Sequence, residues 1–226
     1  MKQSISVILP VYNEAAGMPR LNRHLESLPG FKEFIFVDGG SADNTPQLVA
    51  PAFRVVACAQ KGRSVQMNNG AAQASGDILL FLHADSRLPQ DAAAQIQAVV
   101  DRGFKTGCFK IQFDSKNPLM RFCALASNLR VRFRRIMFGD QGIFIEKELF
   151  EQLGGFRAIP LMEDYDLSIR LKQCGVQPGM AKGKILTSAR RFVENGPLKT
   201  MWRMQVCQHL FRKGIAPALL THLYDE

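Results

Sequence analysis

No stretch of this 226-residue sequence approaches the roughly 18 consecutive apolar residues that a membrane-spanning helix needs. The opening Met1 to Pro10 also lacks the long apolar run of a secretion signal, so the expectation is a soluble or peripheral protein of the cytoplasm. Cysteine is scarce and scattered: Cys58, Cys108, Cys123, Cys174 and Cys207 are odd in number and no pair has metal-ligand spacing. They read as reduced, mostly buried thiols. His24, His83, His209 and His222 are dispersed as well, which argues against a histidine metal site. Several phosphate motifs are missing. No GxGxxG follows the first apolar run, and Gly179 to Ile185 comes within one residue of a P-loop but has no Ser or Thr. The absence of a GxSxG elbow disfavours a serine hydrolase.

What is present divides unevenly. With 46% hydrophobic and 22% charged residues the chain can bury a sizeable core as one domain. Residues 1–100 hold 8 Lys and Arg against 8 Asp and Glu, whereas residues 101–226 hold 21 against 12, so the whole net charge of +9 lies in the second part. A basic half suits nucleic acid, a membrane surface or an acidic substrate, or it is simply a solvated surface.

Ile78 to Leu82 are five apolar residues in a row and predict a strand buried on both faces, with His83-Ala84-Asp85 where the chain leaves it. Such an edge is where an open α/β sheet binds ligands. Asp85 there can offer an oxygen to a hard cation holding a phosphate, or cap the helix that follows. The same plan of strand, turn and helix runs through the first hundred residues. Ile5 to Leu9 lead into Pro10-Val11-Tyr12-Asn13-Glu14 and a helical pattern through Leu21, Leu25 and Leu28. Phe34 to Val37 lead into Asp38-Gly39-Gly40-Ser41-Ala42-Asp43-Asn44, after which Thr45 as N-cap and Pro46 at the first position predict a second helix. Phe53 to Ala57 predict a third strand and Gly62 to Ala74 a third helix. Connections of this kind imply a mostly parallel sheet with Tyr12, Asn13, Glu14, Asp38, Asp43 and Asp85 along one edge. Gly39 and Gly40 let backbone approach a ligand closely, Asp38 can accept from a base or ribose, and Lys61 and Arg63 can meet phosphate charge.

PVYNE after the first strand, VDGGSADNT after the second and the aspartate after the fourth resemble the family-2 glycosyltransferases of GT-A fold. They are nearest in character to small stand-alone bacterial members, among them a subgroup found beside radical-SAM and selenium-related genes. The resemblance covers about the whole catalytic domain. It implies an α/β fold with a Rossmann-like, mostly parallel sheet and helices on both faces. It implies further that Pro10, Tyr12 and Glu14 shape the nucleotide pocket, that Asp38 binds base or ribose, and that Asp85 is the Mg²⁺- or Mn²⁺-binding aspartate of the family's DxD motif. This sequence departs from that motif at His83, where the family has Asp.

Downstream, Thr106 to Phe113 predict a strand, and Gly139 to Ile145 begin another after a helical insert. Gly154-Gly155-Phe156 resembles the family's GGF element. In Met162 to Leu171, Leu167 and Leu171 lie one turn apart and face the core, leaving Glu163 and Asp164 at the helix entrance. By resemblance this is the ED pair that supplies the base; by charge alone it complements a helix N-terminus. Thr187 to Arg191 resembles a segment in which Arg190 or Arg191 contacts the donor diphosphate. Asn117 to Phe138 interleaves Arg121, Arg130, Arg132, Arg134 and Arg135 with apolar residues. It predicts a cationic amphipathic helix that packs on the sheet with its arginines in water, lies on anionic lipid, or lines an acceptor or phosphate pocket. Leu198 to Tyr224 read as one or two helices broken near Gly214 and Pro217, docked on the domain or against a membrane.

The expected layout is one domain over 1–226, with a nucleotide-binding half (1–100), an acceptor and catalytic half (101–196) and a helical extension (197–226). The expected activity is metal-dependent, inverting transfer from a nucleotide-sugar donor, UDP being the commonest choice, to the hydroxyl of a saccharide, lipid or small molecule. Peripheral contact with the inner face of the membrane is part of that expectation. A sugar nucleotidyltransferase should carry a glycine-rich turn where PVYNE stands. A nucleotide- or lipid-surface-binding module without transferase activity uses only part of the pattern, and no nucleic-acid motif accompanies the basic residues.

Overall fold

A computed structural model describes residues 2–225, apart from the side chains of Arg191, Glu194, Tyr224 and Asp225. The apolar runs become strands: β1 (Ile5–Val11), β2 (Glu33–Asp38), β3 (Arg54–Ala57) and β4 (Ile78–Phe81). Helix α1 (Met18–Glu26) joins the first two, and α2 (Arg63–Gln73) joins β3 to β4. They are followed by α3 (Ala92–Val100), β5 (Thr106–Phe113), α4 (Pro118–Arg134), β6 (Ile143–Glu146), α5 (Lys147–Gln152) and α6 (Glu163–Gln173). β7 (Gly179–Thr187), α7 (Arg190–Asn195), α8 (Pro197–Arg212) and α9 (Pro217–Asp225) complete the described chain.

Seven strands among the described residues form one sheet in the order β3-β2-β1-β4-β6-β5-β7. β6 alone runs against the others, antiparallel to both β4 and β5. The fold class read from the sequence, a mostly parallel α/β sheet with helices on both faces, is therefore the one observed. The register aligns Val11 with Asp38, Asp38 with Ala57 and Ile8 with Phe81, so the C-terminal ends of the first four strands share one edge.

Neighbouring residues on a strand point to opposite faces, and the buried side chains sort accordingly. Val7, Leu9, Phe36 and Leu80 pack with α1, α3 and the start of α4 on one face. Ile8, Ile35, Val37, Leu79 and Phe81 pack with α2, α5 and α6 on the other. Both faces are covered, which is why these strands are continuous apolar runs rather than alternating ones. A third cluster, with Phe138, Met162 and Tyr165 at its centre, seats Cys207 of α8 and Leu220 of α9, so the C-terminal helices dock on the domain.

Three expectations need correction. Thr45 and Pro46 open a single 3₁₀ turn, Pro46–Leu48, and no α-helix separates β2 from β3 although the two pair in parallel. The Thr45 hydroxyl is not free to cap, because it donates to Asp43 and accepts the Glu14 amide. β7 was not anticipated; the segment compared with a P-loop is a strand whose Gly179, Ala181, Ile185 and Thr187 are buried in turn. Finally, Asp85 caps no helix, since α3 begins at Ala92 after Asp91. The five cysteines are free, and all but Cys174 are buried. Among the described residues no helix is long and apolar enough to cross a membrane.

Candidate active site

The strand ends are held together by one buried amide. Gln66 on α2 donates from Nε2 to the carbonyls of Val11 (2.8 Å) and Val37 (2.7 Å), at the ends of β1 and β2. Gly39 sits against that side chain, where an added Cβ would come within 3.0 Å of it. The two loops beyond are stitched to each other. Asn13 donates its amide to Ser41 Oγ and accepts from Ala42 N, while the Ala15 amide reaches Asp43. Asp38 is buried and its carboxylate accepts from the amides of Gly40 and Ser41 and from the Ser41 hydroxyl. The aspartate expected to meet a base or ribose thus also shapes its own loop.

A groove runs along this edge in three joined parts. The first, about 240 Å³, is lined by Pro10, Tyr12, Glu14, Arg63, His83 and Asp85. Lys61 closes over it, with Nζ 3.2 Å from the Tyr12 hydroxyl and 5.1 Å from the ring centre. Arg63, His83 and Asp85 are shared with the second part, about 210 Å³, where Asp140, Asp164 and Ser188 join them. Phe113, Phe138, Asp140, Phe192, Met204 and Gln208 are shared with the third, a chamber of about 350 Å³ between α4 and α8. Larger hollows of about 650 and 950 Å³ open at the opposite edge of the sheet, away from this convergence.

Charge in the middle part is unbalanced toward the acidic. Asp85 stands at the rim, and its carboxyl is raised above the usual range because the crevice withdraws it from water, with Asp114 adding repulsion. Glu14 is raised for the same reason, Asp85 being the nearest repelling charge. Arg190 opposes both shifts, which puts its guanidinium within electrostatic reach of the pair. The Arg191 side chain lies outside the described residues. Asp140 is raised by burial, against the pull of Arg130, and its Oδ1 is buried with no hydrogen-bond partner among the described residues. His83 is the exception: burial, helped by Arg63, pushes its imidazole down to about 3, so it is neutral and brings no charge in place of the family's first aspartate.

The two acids at the start of α6 are held differently. Glu163 is buried and bonded to Arg63 Nε, tying the head of α6 to the head of α2. Asp164 faces the crevice, where Oδ2 accepts the Gly139 amide and Oδ1 its neighbour Tyr165's amide, each at 2.7 Å. Burial, reinforced by the Glu163 charge, pushes the Asp164 carboxyl up to about 6. Gly139 is needed there, since a Cβ would stand 2.7 Å from His83 Nε2 and 3.4 Å from Asp164 Oδ2.

Of the expected residues, Pro10, Tyr12, Glu14, Arg63, Asp85 and Asp164 line this groove, whereas Asp38, Gly39, Lys61, Glu163 and Arg190 are not among its lining residues. Gln66 and Asp114 gave no local signal. Arg130 was expected only as one of several cations; it stacks 4.0 Å from the Phe138 ring centre and donates to Gln141. The GGF element works through its backbone. Asn68 on α2 donates to the Phe156 carbonyl (2.7 Å) and accepts its amide (2.9 Å), while the Phe156 ring packs on Phe81.

A carboxylate at the rim, amid mutually repelling acids, is what a divalent cation relieves. Among the described residues no three His, Cys, Asp or Glu side chains cluster as a preformed metal cage. Asp85 is the rim carboxylate that could offer an oxygen to a Mg²⁺ or Mn²⁺ ion.

This architecture is that of the GT-A glycosyltransferases. Mannosyltransferase PcManGT from Pyrobaculum calidifontis, in complex with GDP-Man and Mn²⁺, superposes with a TM-score of 0.70 at 20% identity, covering 100% of this chain and 69% of that one. TarS 1–349 of S. aureus, in complex with UDP-GlcNAc, gives 0.67 at 16% identity over 82% of this chain and 58% of that one. The model of glycosyl transferase family 2 matches residues 6–153, and the chain belongs to that family. A curated relative, the undecaprenyl-phosphate 4-deoxy-4-formamido-L-arabinose transferase of Salmonella choleraesuis (strain SC-B67), is 29% identical over 45% of this chain. The match spans about a third of that relative's length, 35%.

Proposed function

We propose that this chain catalyses metal-dependent, inverting transfer of a sugar from a nucleotide-sugar donor, with UDP the expected nucleotide, to the hydroxyl of an acceptor. Residues 1–100 receive the donor, 101–196 supply the catalytic and acceptor side, and 197–226 extend it. The observation that carries the reading is the unlike treatment of two adjacent acids. Glu163 is committed to Arg63, whereas Asp164 is aimed into the groove by two backbone amides with its carboxyl raised to about 6. That is the state of a general base working near neutral pH.

In this scheme Pro10, Tyr12, Glu14, Asp38 and Gly39 cradle the nucleoside, and Lys61, Arg63 and Arg190 meet the diphosphate. A Mg²⁺ or Mn²⁺ ion bound at Asp85 would supply charge neutralisation to the leaving diphosphate. Asp164 takes the acceptor hydroxyl's proton as that oxygen bonds to the anomeric carbon from the face opposite the diphosphate. The carbon–oxygen bond to the diphosphate breaks, and the nucleoside diphosphate leaves with the electron pair. Glu163 positions Asp164 and Arg63.

The chamber between α4 and α8 suits an acceptor with an apolar part and an anionic group, since Phe133, Met201 and Met204 line it beside Arg130 and Arg134. A lipid that carries a hydroxyl beside an anionic group has that chemistry, and the place of action is then the cytoplasmic face of a membrane. Membership of the small stand-alone bacterial subgroup is part of the same proposal. The test is calorimetric titration with UDP and GDP, with and without Mn²⁺, beside Asp85→Ala. Binding of one nucleotide that needs Mn²⁺ and is lost in the variant is expected. A folded protein that binds neither nucleotide overturns the reading.

A further inference from the structure

Helix α4 has two apolar faces, and only one of them is used by the fold. Asn117 caps its start by accepting the Leu119 amide, and Arg135 ends it in a left-handed conformation. Met120, Cys123, Ala124 and Val131 are buried toward the sheet. Phe122, Leu125, Leu129 and Phe133 are 59%, 55%, 42% and 75% exposed. At about 100° per residue these four fall within an arc of about 80° on the side away from the buried set. On the same wheel Arg121 and Arg132 border the stripe on one flank; on the other, Arg134 stands beyond Arg130, whose guanidinium turns back onto Phe138 and Gln141. The helix contains no Asp or Glu.

We propose that this face of α4 docks the protein on an anionic bilayer surface, with the stripe in the interfacial region and the arginines at headgroup phosphates. Charge selects the occupant. A second copy would set arginine against arginine, whereas an anionic headgroup layer neutralises Arg121, Arg132 and Arg134, each arginine near the surface strengthening binding roughly fivefold. Long cationic side chains beside an apolar stripe are the arrangement of a helix lying in a membrane interface. Leu129, Arg130, Phe133 and Arg134 belong to the stripe or its flank and also line the chamber that reaches Asp140. Docking by this face therefore sets the acceptor end of the groove at the lipid surface. The inference rests on the proposed place of action and not on the chemistry of transfer.

The experiment is flotation of the full chain with vesicles of phosphatidylcholine alone or mixed with phosphatidylglycerol, beside Phe122→Asp/Leu125→Asp. Both substituted residues are exposed and outside the groove, and circular dichroism checks the variant's fold. Binding to the anionic vesicles only is expected, falling at least about threefold between ~0.05 and ~0.5 M salt, and lost in the double variant. No anionic-vesicle binding at low salt overturns the inference, as does binding that the double variant retains. A dimer in sedimentation that the double variant splits, without vesicle binding, gives the stripe to a second copy and also overturns it. UDP titration of the same samples separates this failure from failure of the proposed function.

Discussion

The two halves of this molecule present chemistry in opposite ways. Residues 1–100 carry no net charge, and along the ends of β1 and β2 polar groups are held in place: Asp38 by its own loop, Gln66 by two carbonyls, Asn13 by Ser41 and Ala42. From α4 onward the chain carries the excess of cations, and its helices leave Phe133, Trp202 and Leu219 in solvent. A sheet fixes strand ends by register, so it suits a ligand that must be placed to a fraction of an ångström. Helices laid against that sheet can differ in what they expose without disturbing it. In the proposed reading the sheet half receives the donor and the helical half the acceptor.

That division can be broken by substitution. The largest effect is expected from Asp164→Asn, which lowers turnover by about 10²–10⁴-fold while UDP affinity stays within about twofold. Steady-state rates and calorimetry on the same preparation check it. A matching loss of affinity would show that the two halves are not separable. Gly139→Ala comes next, because its Cβ must displace His83 or Asp164; turnover should fall on the order of 10²-fold with the fold intact by circular dichroism. Asp85→Ala attacks the donor side instead and should abolish the Mn²⁺-dependent UDP binding, a loss of about tenfold or more in affinity, with the fold intact by circular dichroism. Lowering pH sharpens the assignment of the base. Asp164 must be ionised to accept a proton, so the rate is half-maximal near pH 6, full well above it and drops about tenfold per unit below it, a limb that Asp164→Asn lacks. The smallest effect belongs to Arg134→Ala at the chamber lip, which should raise the KM for an anionic acceptor by about fivefold and leave UDP binding alone.

Legibility followed the same divide. Strands buried on both faces announce themselves as uninterrupted apolar runs, so Ile5, Phe34 and Ile78 marked their strands and the loops after them. Thr45-Pro46 misled because the signature of a helix start is a side chain free to cap, and only the folded loop shows Thr45 bonded to Asp43 and Glu14. β7 was obscured by Lys182, Gly183 and Lys184, although Ala181, Ile185 and Thr187 alternate at strand spacing. The reversed direction of β6 is set by its partners and has no local trace. In the site, carboxylates at strand and helix ends could be read from position. Gln66, Asp114 and the burial of Asp140 are products of tertiary packing, as is the contrast between Glu163, bonded to Arg63, and Asp164, held by two backbone amides.

The antiparallel seam has a consequence for how the protein comes into being. Ile78 of β4 pairs with Glu146 of β6, and Gly139, in the 3₁₀ turn that leads into β6, carries the amide that holds Asp164. The strands of the first half can pair while the chain is still short, but the catalytic crevice closes only when distant segments meet, the slow kind of contact in folding. In refolding, tertiary signals from β1 and β2 should therefore precede competence to turn over substrate, and the site should be the last thing the chain completes.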